Sequence, residues 1–190
     1  MRYSPEHKAQ TREKLLDSSA AIAKRGGFSG AGVDGLMKAI GLSGGAFYSH
    51  FPSKDDLFAA IVERELARSL RLLGEAAPDE EPRLRLRRCL DAYLSMAHLE
   101  HPDSGCALPS LGAEIARAGL PVREQAEHWL RRLQQAWAEV LGDEQLAWAI
   151  LSQCVGALVL ARMLASPQAQ QELLEANRQV LDQRLAPTSG

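Results

Sequence analysis

The fold is decided by residues 33–54, which read VDGLMKAIGLSGGAFYSHFPSK. Leu36, Met37 and Ile40 recur at helical spacing, so the first half of this stretch predicts a helix with one apolar face. Gly41 follows directly, where the end of a helix favours a residue that tolerates positive φ. Ser43 is suited to begin a second helix, because its hydroxyl can accept a hydrogen bond from an unpaired backbone N–H group.

The second helix is expected to be short, because Pro52 disfavours the helical conformation at Phe51. Phe47 and Phe51 lie four residues apart and can both face inward, which leaves the residues between them nearer to solvent. Two short helices joined by a tight turn that contains glycine form a helix-turn-helix, the unit that places its second helix in the major groove of DNA.

A family resemblance extends this interpretation. Residues 41–58 resemble the signature of the TetR family of bacterial transcriptional regulators, with the pattern Tyr-x-x-Phe-x-Ser-Lys at residues 48–54. The resemblance covers about residues 10–65. It implies an N-terminal DNA-binding head, a C-terminal helical domain that binds an effector, and a homodimer that reads a roughly palindromic double-stranded operator.

Length and composition limit which other classes of protein this chain can belong to. The chain has 190 residues, of which 46% are hydrophobic, which is ordinary for a globular protein. No apolar run approaches the roughly 18 residues that suggest a membrane span, and no secretory signal is recognised, so a cytoplasmic location without a membrane partner is expected. The net charge is −2, but residues 1–58 hold eight lysines and arginines against six acidic residues. This small excess makes the N-terminal part the better suited to a polyanion.

Helical periodicity continues to the C-terminus without strand-like alternation. The sequence therefore predicts an all-α fold of about nine helices, with a helix-turn-helix DNA-binding domain over residues 1–53 and an effector-binding and dimerisation domain over residues 54–190. One helix is expected to start near Pro82, pass through Ala97 and stop before Pro102.

The candidate DNA-binding residues lie mainly on the second helix of the helix-turn-helix. Similar regulators usually carry a basic residue near the start of this helix, where this chain has glycine. Base reading is therefore expected from hydroxyls, a small apolar side chain and an aromatic ring, with basic side chains on the flanking phosphates. There are three alternatives. The basic residues of the first helix could form an ordinary solvated face, Tyr48 could be structural, and Lys54 could be an exposed side chain beside a simple capping turn. The candidates are Lys8, Arg12, Ser43, Gly44, Gly45, Ala46, Tyr48, Ser49, His50 and Lys54.

Cys106 is the candidate sensor residue of the second domain. It is predicted to lie near the start of a helix, and His98 and His101 are close in sequence; a helix N-terminus and a cationic histidine both favour the reactive thiolate. Residues 104–106 also resemble the cysteine region of TetR-family members that respond to reactive electrophiles or oxidants. A packed free cysteine and a metal ligand are the alternatives, and Cys89 and Cys154 are expected to be inert.

Other side chains are of types that line effector pockets, although ordinary core packing is the alternative for each of them. These are Tyr93, Met96, His98, Trp129, Trp137 and Met163. The resemblance implies that a small-molecule or reactive electrophile inducer binds in this domain and releases the operator. No cofactor and no bound metal are expected.

A helix over about residues 144–165 is apolar almost all round, which indicates burial on several faces and suggests a partner subunit as one of the walls. The resemblance implies that this helix and the next form the dimer interface. The candidate interface residues are Ile150, Cys154, Ala157, Ala161, Leu173, Leu174, Val180 and Leu181.

Two other functions are weighed. An enzyme that processes a small molecule has little support, because the sequence contains no glycine-rich phosphate loop, nucleophile elbow or HExxH helix. A helical dimeric interaction module without DNA binding is the second alternative, favoured by the glycines at positions 32 and 44. The sequence therefore predicts a regulator, most readily a repressor, that is not an enzyme.

Overall fold

The computed structural model describes residues 5–74 and 80–185, and these residues are helical without a β-strand. The all-α prediction is thus confirmed. The elements are α1 (Pro5–Gly26), α2 (Val33–Ala39), a 3-10 helix (Gly44–Ser49), α3 (Lys54–Gly74), α4 (Pro82–Tyr93), α5 (Met96–Glu100), α6 (Leu108–Arg117), α7 (Leu120–Leu141), α8 (Glu144–Met163) and α9 (Pro167–Leu185).

The helix-turn-helix is formed by α2 and the 3-10 helix. Gly41 takes the positive φ that the turn requires, 76°. The second helix differs from the expectation, because its hydrogen bonds follow 3-10 rather than α geometry: Ala46 N–H donates to the Ser43 carbonyl at 3.0 Å. The Ser43 side chain makes no capping hydrogen bond. With Pro52 close behind, the segment is short, and short segments often take this tighter helix.

The predicted helix over residues 82–97 is divided in two. α4 ends at Tyr93, and α5 begins after Ser95, whose hydroxyl accepts a hydrogen bond from His98 N–H at 3.2 Å. The His98 ring binds the Tyr93 carbonyl, with Nδ1 at 2.7 Å from the oxygen. That carbonyl is therefore used by a side chain where a continuous helix would use it for the backbone ladder.

The C-terminal helices form a layered bundle around α7 and α8. α3 leaves the head and packs along α7, α7 packs along α8, and α8 packs along α9. α6 packs against both α1 and α8, which ties the head to the bundle. α8 is the one described helix that is long and apolar enough in composition to cross a membrane. A core helix has the same composition, and one side of α8 supplies fully buried core residues such as Ile150 and Leu158.

Candidate DNA-binding face and effector cavity

The 3-10 helix presents one large ring to solvent. Tyr48 is 67% exposed, while Phe47 beside it is fully buried and holds the tyrosine ring edge-on at 5.3 Å between centroids. Ser49 is exposed and donates its hydroxyl to the Ala46 carbonyl at 2.7 Å. Ser43 and Gly45 are also exposed, whereas Ala46 is half-buried against the core. This face offers an aromatic ring and small polar groups to a ligand.

The glycine at position 44 has a packing explanation. A Cβ atom on Gly44 would lie 1.7 Å from Asp34 Oδ1 and 3.0 Å from its Cγ. A side chain here would therefore require Asp34 to move from the start of α2. The backbone of α2 is at ordinary contact distance, with Asp34 Cα at 3.6 Å, so it is the Asp34 carboxylate that occupies this space.

A basic cluster lies beside the 3-10 helix. The guanidinium of Arg12, on α1, stacks over the Phe51 ring at 4.6 Å from its centroid. Burial, followed by the charges of Lys8 and Arg12, lowers the pKa of His50. Lys8 is exposed, and the Arg12 side chain is partly exposed. The structure thus brings together three of the predicted DNA-binding residues, which the sequence separates by about 40 positions.

Lys54 stands at the first turn of α3 and is held against the loop after α1. Its ammonium donates to the Ser29 carbonyl at 3.0 Å and lies 4.8 Å from the centre of the Phe28 ring. Ser53 caps α3, because its hydroxyl accepts a hydrogen bond from Asp56 N–H at 3.1 Å. An ammonium group has three N–H bonds, so this arrangement leaves donors on Lys54 for a phosphate.

A cavity of about 560 Å³ opens between α3, α4, α5 and α7. Four of the predicted effector residues line it: Tyr93, His98, Cys106 and Trp137. Met96, Trp129 and Met163 are not among its lining residues. Trp129 carries the Arg132 guanidinium over its ring at 4.6 Å, and Met163 is 74% exposed on α8. The remaining lining residues are Glu65, Arg68, Ser69, Arg88, Cys89, Leu90, Ala92, Ser95, Ala97, His101, Ser104, Gly105, Leu108, Leu133 and Leu151.

Cys106 follows a turn that is built on His98. Cys106 N–H donates to His98 Nε2 at 3.0 Å, so this nitrogen is an acceptor and the ring is neutral with its proton on Nδ1. Burial, together with the charges of Arg162 and Lys24, lowers the pKa of His98, which favours the same neutral state. Gly105 is required here, because its Cβ would lie 2.1 Å from the imidazole ring.

This geometry corrects one part of the sequence argument about Cys106. His98 is neutral and acts as an acceptor, so it is not the cation that was expected beside the sulfur. Cys106 does lie in the turn that leads into a helix, since α6 begins at Leu108. The Cys106 side chain is half-buried, and its sulfur lies 3.8 Å from the Ser69 hydroxyl.

The other two cysteines differ in exposure to the cavity. Cys89 lines the cavity, and burial is the main cause that raises its pKa. Cys154 is fully buried on α8, and burial, with a smaller effect of Cys106, raises its pKa to about 12. Both thiols are therefore protonated at neutral pH, which makes them poor nucleophiles.

The turn before Cys106 is tied to the DNA-binding head by a buried lysine. Lys24, near the end of α1, donates to Glu65 Oε2 at 2.6 Å and to the Gly105 carbonyl at 3.2 Å. The neighbouring Arg25 forms an ion pair with Asp103 of the same turn. Sequence reasoning missed this link. One feature of α1 indicates that Lys24 faces inward: it follows Ala20, which is buried, by one helical turn.

A second link joins α6 to the head. The Glu114 carboxylate accepts hydrogen bonds from the backbone N–H groups of Phe28 and Ser29, at 2.9 and 2.7 Å, and from the Ser29 hydroxyl at 2.6 Å. Burial opposes ionisation, but these hydrogen bonds together lower the pKa of Glu114. Gly27, at φ 86°, leaves the space that this carboxylate occupies.

The described ranges contain no group of three histidine, cysteine or acidic side chains arranged to hold a metal ion. His98, His101 and Asp103 are the side chains that could bind a metal ion together with Cys106, and two of them have other partners. Both nitrogens of His98 are in hydrogen bonds, and Asp103 is paired with Arg25.

Six of the eight residues predicted for the dimer interface are buried inside their own chain, because they face the core of the bundle. They are Ile150, Cys154, Ala157, Ala161, Leu174 and Leu181. Leu173 is partly buried, and Val180 is 39% exposed. The apolar residues that α8 exposes are different ones: Trp148, Val159, Leu160 and Met163.

Comparisons with known proteins agree with this architecture. Residues 15–61 match the family described as bacterial regulatory proteins, tetR family. Over 164 residues the chain is 24% identical to an uncharacterised HTH-type transcriptional regulator of Lactococcus lactis, covering 80% of this chain and 84% of that protein. It is 32% identical over 108 residues to the HTH-type transcriptional repressor NemR of Escherichia coli K12, covering 55% of this chain and 54% of NemR.

Solved structures share the fold. The reduced form of E. coli NemR superposes with a TM-score of 0.79 at 23% identity, covering 92% of this chain and 96% of that one. A TetR transcriptional regulator from Legionella pneumophila superposes with a TM-score of 0.77 at 21% identity, covering 96% and 98% of the two chains.

Proposed function

We propose that this chain, which belongs to the TetR family of bacterial regulatory proteins, is a dimeric cytoplasmic repressor that an inducer releases from its operator. The chain is a DNA-binding transcriptional regulator with relatives that are repressors. The observation that carries the proposal is the exposed Tyr48 on a short helix inside the region that matches the family. The protein is proposed to act by binding alone, without catalysis.

The head is proposed to read DNA with few charged groups. Tyr48 packs on the sugar-phosphate backbone, while Ser43 and Ser49 reach base edges and Ala46 contacts a thymine methyl group. Lys8, Arg12 and Lys54 contact the flanking phosphates, which fixes the position of the head without reading sequence. We propose this division of roles for a DNA-binding domain over residues 1–53.

Dimerisation is proposed through the exposed sides of α8 and α9. Trp148, Val159 and Met163 lie close to one line along α8, since they are separated by 11 and 4 residues. Leu160 and, on α9, Val180 are also exposed, and they are proposed to extend this apolar surface. A symmetric dimer built on it would present two heads to a palindromic operator. We place this interface, with the effector cavity, in a second domain over residues 54–190.

The cavity is proposed as the inducer site, with Cys106 as its reactive group when the inducer is an electrophile. With an α,β-unsaturated carbonyl compound, the sulfur would form a bond to the β-carbon as the carbon–carbon π bond breaks. The thiol proton would be delivered to the α-carbon, so no oxidant is needed. An inducer that binds reversibly remains the alternative within the same proposal.

Coupling to the head is proposed through the turn of residues 101–107. Gly105 precedes the sulfur by one residue, and its carbonyl accepts a hydrogen bond from Lys24 of α1. An adduct on Cys106 that displaces the turn would break this hydrogen bond and shift α1 relative to α3. The inducer then acts through unequal affinity for the two arrangements of the head, as any allosteric effector must.

Operator binding tests the proposal. Fluorescence anisotropy with DNA from upstream of the chain's own gene should show affinity above that for random DNA and a steep loss as salt rises. Tyr48→Ala should weaken specific binding by about tenfold or more, as the loss of one good contact does. A thiol-reactive electrophile should release DNA from the wild type and not from Cys106→Ser.

Each outcome has a distinct meaning. Release that persists in Cys106→Ser would contradict the role of the cysteine and leave a reversible inducer. Absence of any specific binding, at low or high salt, would contradict the repressor and favour a helical interaction module or an enzyme.

A further inference from the structure

The lining of the effector cavity carries hydrogen-bond donors with few partners. The Trp137 indole N–H has no hydrogen-bond partner in the described part of the chain, and the Tyr93 hydroxyl has only the Cys106 sulfur beside it. Arg68 lines the cavity from an exposed position on α3 and has no acidic partner among the described residues. An indole N–H and a guanidinium can only donate hydrogen bonds, and a phenol donates readily. The lining therefore offers hydrogen-bond donors to a ligand that carries hydrogen-bond acceptors.

The remaining charged groups of the lining are already paired. Glu65 is neutralised by Lys24, and Arg88 forms an ion pair with Glu80 at 2.8 Å. The described lining thus contains no free carboxylate to attract a cation, and its one unpaired formal charge is the guanidinium of Arg68. A positive group at the edge of a partly apolar cavity attracts anions.

The walls of the cavity fit an apolar body. Four leucines contribute apolar side chains to them, and the volume of about 560 Å³ lies within the range of about 300–1,000 Å³ for small-molecule sites. The leucines are Leu90, Leu108, Leu133 and Leu151.

We infer that the cavity binds an amphipathic organic anion, with its acidic group on Arg68 and its apolar body against the leucine walls. Only the role of the anion as an inducer rests on the proposed function. Binding of the anion to the cavity can be measured without DNA. Arg68 is then a residue that sets specificity, since a guanidinium binds carboxylate, sulfonate or phosphate groups by charge-assisted hydrogen bonds. A neutral compound of the same shape lacks that interaction.

Two fluorescent probes with nearly the same body test the inference. 8-Anilinonaphthalene-1-sulfonate carries a sulfonate, and N-phenyl-1-naphthylamine lacks it. The wild type should bind the sulfonate about tenfold more tightly than the amine. Arg68→Gln should remove most of this preference while the affinity for the amine stays unchanged.

Arg71→Gln is the matched control. Arg71 is exposed on the same helix and is outside the described cavity lining, so its loss changes net charge equally without touching the site. The inference is wrong if the two arginine variants weaken sulfonate binding equally, or if the wild type binds both probes alike. Circular dichroism of each variant verifies that these surface changes leave the fold intact.

A third measurement separates this inference from the proposed function. Addition of the sulfonate to the operator complex should lower DNA affinity if the anion site is the inducer site. Anion preference that depends on Arg68, without any change in operator affinity, would support the anion site and contradict its role in release. Absence of operator binding would contradict the repressor and leave the probe result unaffected.

Discussion

Lys24 and Glu65 form a charged pair that is almost entirely removed from water, with side-chain exposures of 1% and 7%. Burial of two charges is tolerated here because each has the other at 2.6 Å and because Lys24 also donates to the Gly105 carbonyl. The pair lies where α1, α3 and the turn of residues 101–107 meet. At the residue scale, this is the point where the head depends on the helical domain.

Removal of one partner should be costly. Glu65→Gln keeps the shape of the side chain but leaves the Lys24 charge buried without a counter-charge. We expect a loss of about 3–5 kcal/mol in the free energy of unfolding, measured by urea denaturation. Arg64→Gln is the control on the same helix, since Arg64 pairs with Asp17 at 2.6 Å on the surface. That change should cost less than about 1 kcal/mol, and equal losses in the two variants would contradict the argument.

At the scale of elements, the turn of residues 101–107 is organised by a side chain from α5. Neutral His98 donates from Nδ1 to the Tyr93 carbonyl and accepts at Nε2 from Cys106 N–H. A protonated ring would present N–H to the Cys106 N–H, so the second hydrogen bond would be lost. The position of the cysteine is therefore linked to the protonation state of His98.

This linkage predicts a pH dependence of stability. Burial is the main cause that lowers the pKa of His98 from its ordinary value of 6.5, so the unfolded chain takes up this proton first as pH falls. The stabilisation is full above about pH 6.5 and is lost as pH falls toward the lowered pKa. The urea midpoint should therefore decrease from about pH 7.5 to about pH 5.5, and less so in His98→Gln.

His50 requires its own control in that experiment, because burial and the charges of Lys8 and Arg12 lower its pKa in the same direction. His50→Gln should remove only the part of the pH dependence of stability that arises in the DNA-binding head. A pH dependence in His98→Gln that equals that of the wild type would contradict the role given to His98.

At the scale of the whole molecule, α8 has two apolar sides with different uses. One side carries fully buried residues such as Ile150, Cys154 and Ala161. The other exposes Trp148, Val159, Leu160 and Met163, and the last is 74% exposed. An apolar surface of this kind on a helix that also forms the core favours association with a second copy.

Met163→Glu should weaken the dimer, because association would bury an unpaired charge on the partner surface. We expect the dissociation constant, measured by analytical ultracentrifugation, to rise by about tenfold or more. Leu84→Glu is the matched control, since Leu84 is 60% exposed on α4 and is not one of the exposed apolar residues of α8 and α9. A change that is equal in both variants, or absent in Met163→Glu, would contradict this interface.

Much of the fold could be predicted from the sequence, because helix periodicity and helix ends depend on neighbouring residues. The glycine at position 41, the proline at position 52 and the Asp143 cap of α8 each act within a few residues. The family signature is local in the same way, and residues 15–61 match it. The all-α class and the DNA-binding function were therefore available from the order of the residues alone.

Only the tertiary structure decided which groups meet. Lys24 and Gly105 are 81 positions apart, and no local pattern predicts that they share a hydrogen bond. The periodicity of α8 showed that it is apolar almost all round, but the packing of α7 and α9 determined which side is buried. The protonation state of His98 likewise followed from one contact with Cys106 N–H. Burial and hydrogen bonding depend on distances between distant segments, and these arise only when the helices pack.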